Sequence, residues 1–153
     1  MRPISLNIAS QDKRPSKTLA EINRNGKLDV LVPTRDLSFL MQEVLQKQMI
    51  ARGFMVGSPA AADVIIVINK LNADVSEGSV RHSISASADI SVIVTLPNGS
   101  SNTKTFRASH NVQGPFGASN EKIAAAINNV LTELVKDMAK DASVSQFIKS
   151  NAR

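Results

Sequence analysis

Residues 80–96 read VRHSISASADISVIVTL, and their alternation decides the fold. Val80, His82, Ile84, Ala86, Ala88, Ile90, Val92 and Val94 hold one phase of a two-residue repeat. Arg81, Ser83, Ser85, Ser87, Asp89, Ser91 and Thr95 hold most of the other. Successive side chains of a strand point to opposite faces, so the stretch predicts a ribbon with one face in a core and the other in water or against a partner. A one-sided sheet of this kind is backed by helices, and its chemistry lies on the open face or in loops.

Working outward, Pro97-Asn98-Gly99 predicts a hairpin turn, and Lys104 to Val112 returns with Phe106, Ala108 and Val112 in phase. Gly114, Pro115 and Gly117 break that strand. Upstream, Glu77-Gly78 turns the chain out of a strand over Val64 to Val75, continuous in its apolar residues at first and alternating later. Ile4 to Ala9 and Leu28 to Val32 read as two further strands, with Ser10 to Lys17 as a polar loop and Asn25-Gly26 as a turn signal. Phe54 to Val56 reads as a short strand before the loop Gly57 to Ala62.

Two segments carry helical spacing. Leu37, Leu40, Met41, Val44, Leu45 and Met49 line one side of a helix over 36–52, with Thr34 as its N-cap, Asp36 in its first turn and Gly53 as its stop. Ser119 caps a second helix whose Ile123, Ile127, Val130, Leu131, Leu134 and Met138 share a face. Ser143-Val144-Ser145-Gln146 opens a short last helix that docks through Val144, Phe147 and Ile148. The order β-β-α-β-β-β-α-α predicts an α+β fold. It is a two-layer sandwich: an antiparallel sheet of about four to five strands, two long helices on one face and a short C-terminal helix. No repeat or linker divides residues 1–153, so one domain is expected.

Composition narrows the function classes. Five Phe with no Tyr or Trp leave little for stacking on nucleobases or sugars, so no nucleic-acid partner is expected. No apolar run is longer than Val64 to Ile68, which is strand-sized rather than membrane-spanning. Without cysteine there is no disulfide, thiolate nucleophile or thiolate metal site. Residues 1–35 hold seven basic side chains against three acidic ones, so four of the chain's five net positive charges lie there. Residues 1–27 read as a basic, partly mobile N-terminal region, its charges too interleaved with Asp and Glu to mark a dedicated patch.

No constellation for catalysis emerges. A Gly-rich phosphate loop, a His-Glu-x-x-His helix and a Gly-x-Ser-x-Gly elbow are all absent. The serines of 83–91 alternate along a strand's wet face, a solvated surface with no activating base beside them. His82 and His110 fall in the apolar phase of their strands and lack further ligands to complete a metal site. Asp74 and Asp89 approach each other only if their strands are neighbours in the right register. Asp36 and Arg52 bracket the first helix in the sense its dipole favours. No enzyme activity, metal or cofactor is expected.

A resemblance supplies what spacing does not. Arg35-Asp36-Leu37, Gln42-Glu43-Val44-Leu45, Ala51-Arg52-Gly53-Phe54-Met55-Val56-Gly57 and Ala73-Asp74-Val75-Ser76 resemble the YajG family of Gram-negative bacterial lipoproteins. Ala88-Asp89-Ile90, Arg107-Ala108-Ser109, Ala118-Ser119-Asn120 and the ending Phe147-Ile148-Lys149 continue in the same register. The matches span nearly the whole chain and are weakest before residue 28. The resemblance implies an export signal and a lipidated cysteine at the outer membrane, on its periplasmic side. This sequence has neither, so a soluble form in which Met1 takes their place is expected. The family brings no catalytic residues with it.

Together these readings lead to a non-enzymatic adaptor of the cell envelope, anchored by lipid and binding an envelope protein through the sheet's open face, a strand edge or the loops. Asp74, Arg81, Asp89 and Arg107 project from the polar phases of their strands, beside a loop at Gly114 to Gly117, and form the candidate surface. The alternative is a binder of a lipid or peptidoglycan fragment, for example an auxiliary lipoprotein of an envelope transport system. Its pocket would lie between helices and sheet, where Ala86, Ala88 and Ala108 leave room.

Overall fold

The computed structural model describes residues 3–24, 26–33 and 35–151. Along the chain run β1 (Ser5–Asp12), β2 (Ala20–Arg24), β3 (Lys27–Leu31), α1 (Leu37–Ala51), β4 (Met55–Val56), β5 (Ala62–Glu77), β6 (Arg81–Thr95), β7 (Ser101–Pro115), α2 (Asn120–Lys140) and α3 (Ser143–Asn151). Five strands make one sheet in the order β4-β1-β5-β6-β7, and β2 with β3 forms a separate hairpin.

The meander β5-β6-β7 is antiparallel throughout, with Ile84 opposite Val75 and Val112, and Ile90 opposite Ile68 and Phe106. The rest of the sheet corrects the expectation of a purely antiparallel layer. β1 runs parallel to β5, from Leu6 opposite Ala62 to Asp12 opposite Ile68, and β4 runs parallel to β1. The cause is topological. α1 lies between β1 and β5 in the chain, and a helical crossover returns the chain to the starting end, so the next strand points the same way. The sheet is mixed.

Both long helices cover one face. α1 rests on β1 and β5, and α2 on β6 and β7. Met41, Leu45 and Met49 of α1 and Ile123, Val130 and Leu134 of α2 bury themselves against Leu6, Ile66, Ile84, Ile90 and Val92. Ala86 and Ala88 belong to this packed core, where their small size brings α2 close to β6.

The helix ends differ in detail from expectation. The cap expected at Thr34 lies outside the described residues. Asp36 is itself the N-cap of α1, its carboxylate accepting from the Phe39 N–H at 3.2 Å. Ser119 caps α2 through the Lys122 N–H at 3.2 Å, as its spacing predicts. Arg52 does more than complement its own helix: its guanidinium donates to the Met138 and Ala139 carbonyls at 2.9 and 2.8 Å, tying α1 to the end of α2.

Much of the basic segment 1–27 is built into the sheet and hairpin. β1 continues through Asp12, beyond the strand end expected at Ala9. β2 pairs with β3 around Gly26, whose φ of 78° only glycine adopts freely. Arg24 anchors the hairpin by donating to the Ala118 carbonyl at 2.7 Å and to Asp29 and Asn120 at 3.1 Å.

Candidate functional site

The face of the sheet opposite α1 and α2 is left free of helices. Its makeup follows from alternation plus one irregularity. In β5, Val64, Ile66 and Ile68 point into the core, so Asp63, Ile65 and Val67 point to the opposite face, where Val67 is nonetheless buried. A bulge between Ile68 and Lys70 inserts Asn69 and resets the phase. Leu71 and Ala73 thereby return to the core, and Lys70, Asn72 and Asp74 reach the open face. Without that extra residue the alternation would bury Lys70 and Asp74.

Rows across the strands then read Lys70–Asp89–Arg107, Asn72–Ser87–Ser109 and Asp74–Ser85–Asn111. The first row is a charge cluster. Arg107 Nε donates to Asp89 Oδ2 at 2.8 Å, and Asn69 Nδ2 donates to Asp89 Oδ1 at 3.0 Å. Arg107 remains 74% exposed at its side chain. Hydroxyl contacts continue the surface: Ser91 with Thr105 at 3.1 Å, Ser87 with Asn72 at 3.4 Å, and Ser85 with Asn111. These groups are hydrogen-bonded laterally, which leaves donors and acceptors of the same groups aimed at solvent.

Of the four residues the sequence nominates, the structure brings two together. Asp89 and Arg107 form an ion pair; Asp74 sits two rows away, about 13 Å along the strands at 3.3 Å per residue. Arg81 stands at the far end of β6, opposite Pro115. Asp74 and Asp89 therefore do not form a carboxylate pair. His82 and His110 are likewise separated, since His82 lies opposite Gly114 and His110 opposite Ala86. His82 is buried, with Nδ1 3.1 Å from the Phe116 carbonyl oxygen and its ring filling the space a Cβ at position 114 would occupy. Among the described residues no group of three or more His, Cys, Asp or Glu is placed to hold a metal.

The expected break at Gly114 is also revised, because β7 runs on through Pro115. Pro115 has no N–H to offer and ends an edge strand, where proline is tolerated. Beyond it Phe116 adopts a φ of 61°, unusual for a non-glycine residue, and donates its N–H to the Val80 carbonyl at 2.7 Å. Phe116 is 72% exposed and Val80 66%. Sequence reading missed this apolar pair next to Arg81. The available signal was an aromatic between Pro115 and Gly117 in a chain with few aromatics.

A cavity of about 520 Å³ borders the open face between the segment 14–21 and the edge of β5. β1 pairs with β5 only as far as Ile68, and the Ala73 N–H is met instead by the Leu19 carbonyl at 2.8 Å. Beneath one rim lies Arg14, whose guanidinium donates to Asp12 at 2.9 and 3.0 Å. That contact holds the Asp12 carboxyl well below the usual carboxylate range, against burial, which pushes it up; the Arg14 backbone N–H and Lys17 reinforce the lowering. Asp141 is also lowered, chiefly by hydrogen bonds from Ser143 and against its own burial, with Lys104 adding a favourable charge.

Comparison with known proteins agrees with this architecture. Residues 1–149 match the family model Lipoprotein_16, described as uncharacterized lipoprotein. The chain is 47% identical over 150 residues to the uncharacterized lipoprotein YajG of Escherichia coli K12, covering 98% of this chain and 78% of that protein. The YajG of Escherichia coli strain CFT073 is equally similar. Among solved structures, a DUF330-family protein from Xanthomonas campestris superposes with a TM-score of 0.64 at 13% identity, covering 98% of this chain and 89% of that one. That likeness is one of fold. No helix among the described residues is long and apolar enough to cross a membrane.

Proposed function

The chain belongs to the YajG family of uncharacterized lipoproteins, and from that premise we propose that it is a non-enzymatic binding module of the cell envelope, held at the outer membrane by lipid on the periplasmic side. Its partner is an envelope protein, and the contact surface is the open sheet face from the row Lys70, Asp89 and Arg107, past Asp74, to Arg81, Val80 and Phe116 at that same end of the strands. The observation that carries this reading is a five-stranded sheet whose two long helices both lie on one face, leaving a charged, hydroxyl-rich surface free. Exposed apolar residues at one end of a charged surface supply the mix of apolar and polar groups that protein interfaces use.

Photo-crosslinking in intact cells tests the proposal. A crosslinker at Ser87 or Ser109 is expected to trap one envelope protein reproducibly, and Arg107→Glu is expected to abolish the adduct while the protein stays folded by circular dichroism. Crosslinkers at Asn129 and Asp137, on the outer surface of α2, are expected to trap nothing specific. Equal adducts from the helix side, or none from the sheet side, would refute the assignment.

A further inference from the structure

We propose a second site on the opposite layer: an apolar trench between α1 and α2 that takes the single acyl chain of an anionic amphiphile, with its head group at a cationic mouth. This inference does not depend on the sheet-face reading. Two crevices of about 270 and 310 Å³ follow each other along the helix pair, with Leu40 and Leu131 common to both linings. Their walls are Leu31, Leu37, Val44, Ile127 and Val135, and Leu31, Leu40, Leu131 and Val135 lie only partly buried against the core. Contiguous apolar surface left open in this way marks a binding groove.

The trench is bridged between the helices at one end and meets a polar recess at the other. Gln48 Nε2 reaches the Val135 carbonyl at 3.3 Å, and Arg52 spans to the last turn of α2, so the helices are bridged at their C-terminal ends. The other end passes Val32, Pro33, Arg35 and Leu37, which also line a polar recess of about 350 Å³. That recess holds Arg14, Lys17 and Arg35 together with Asp12 and Asp36. Arg14 is committed to Asp12, and Asp36 to the start of α1. The cations a head group meets are therefore Lys17 and Arg35, both well exposed and each in one ion pair, with Asp12 and Glu43 respectively.

Size selects the occupant. From Ala124 to Lys136 the trench follows α2 for about 18 Å, and a helix some 10 Å across would need roughly 1,400 Å³ over that length. The two crevices hold far less. A slender chain fits, whereas a partner helix would ride above the trench. An apolar trench leading to exposed cations matches a one-chain anionic lipid.

Titration calorimetry below the micelle concentration tests this, with lysophosphatidylglycerol as the probe and lysophosphatidylcholine as the zwitterionic control. Lysophosphatidylglycerol is expected to bind one-to-one, and Leu40→Ser with Leu131→Ser to weaken it about tenfold or more. The exposed pair Lys17→Glu and Arg35→Glu leaves the core untouched and is expected to weaken the anionic lipid while leaving the zwitterionic one unchanged. Circular dichroism on each variant separates lost binding from lost fold. No binding, binding unaffected by either pair in folded protein, or sedimentation showing that the trench instead joins two copies of the chain, would overturn the proposal.

Discussion

Aspartate at position 90 is expected to unfold the protein in buffer at 25 °C, whereas aspartate at position 87, on the same strand, is expected to change its stability by less than about 0.5 kcal/mol. Ile90 is completely buried between Ile68 and Phe106, with no polar group placed to receive a carboxylate. A charge there must either stay ionised at a cost of many kcal/mol or take up a proton, and even the neutral acid remains without a designated partner. A domain stabilised by about 5–15 kcal/mol does not absorb that penalty together with the lost apolar contacts. Ser87 lies on the open face between Asn72 and Ser109, where a carboxylate stays hydrated. Urea denaturation of the two variants checks the contrast. Comparable losses at both positions would mean that the two faces are not distinguished as described.

Asp12→Asn is expected to cost about 3–5 kcal/mol, a large effect for a change of one atom type, because it strands a buried guanidinium. The Arg14 side chain is only 4% exposed and the Asp12 side chain 11%. Removing both partners together, as in Asp12→Leu with Arg14→Met, is expected to restore much of the loss, since the desolvation penalty of both ions disappears with them. The same contact sets an acid limb. The folded-state pKa of Asp12 is depressed, so its contribution is fully present above the unfolded carboxylate value of about 3.9 and is lost as pH falls below it towards the folded value. Asp141 contributes with the same sign. Stability measured from pH 6 down to pH 2 is expected to decline through this window in the parent and to decline less in the Asp12→Leu, Arg14→Met variant. Parallel acid limbs in the two proteins would remove Asp12 from the explanation.

How far the fold was legible follows from the range of each interaction. The β6–β7 pairing was readable because its partners are joined by a short turn and both carry the two-residue period. The helices were readable from their apolar stripes. The parallel β1–β5 pairing joins residues more than fifty positions apart, and no local pattern records which neighbour a strand will choose. β2 was missed because only Ala20 and Ile22 of its five residues are buried, although the turn signal at Asn25-Gly26 with β-type residues on both sides implied a hairpin.

The candidate surface divides in the same way. Alternation alone placed Asp89 and Arg107 on the open face, and their direct pairing follows from the hairpin register. Asp74 reaches that face only because Asn69 forms a bulge, which the run of apolar residues before it concealed. Arg52 was correctly placed at the end of α1, but its bond to α2 depends on how two helices meet across the sheet. The Val80–Phe116 pair arises from an end-of-strand conformation that composition does not encode.

The chain has no cysteine, so single cysteines report accessibility without background. Reaction rates of a thiol reagent with Ser85→Cys, Ala86→Cys, Ser87→Cys and Ala88→Cys separate the two faces of β6, measured in the free protein and again in the presence of envelope extract. The free protein is expected to react quickly at 85 and 87 and slowly at 86 and 88, and the extract to slow 85 and 87 alone. Uniform rates across the four positions, or fast positions that the extract leaves unprotected, would contradict an open serine-bearing face that receives a partner.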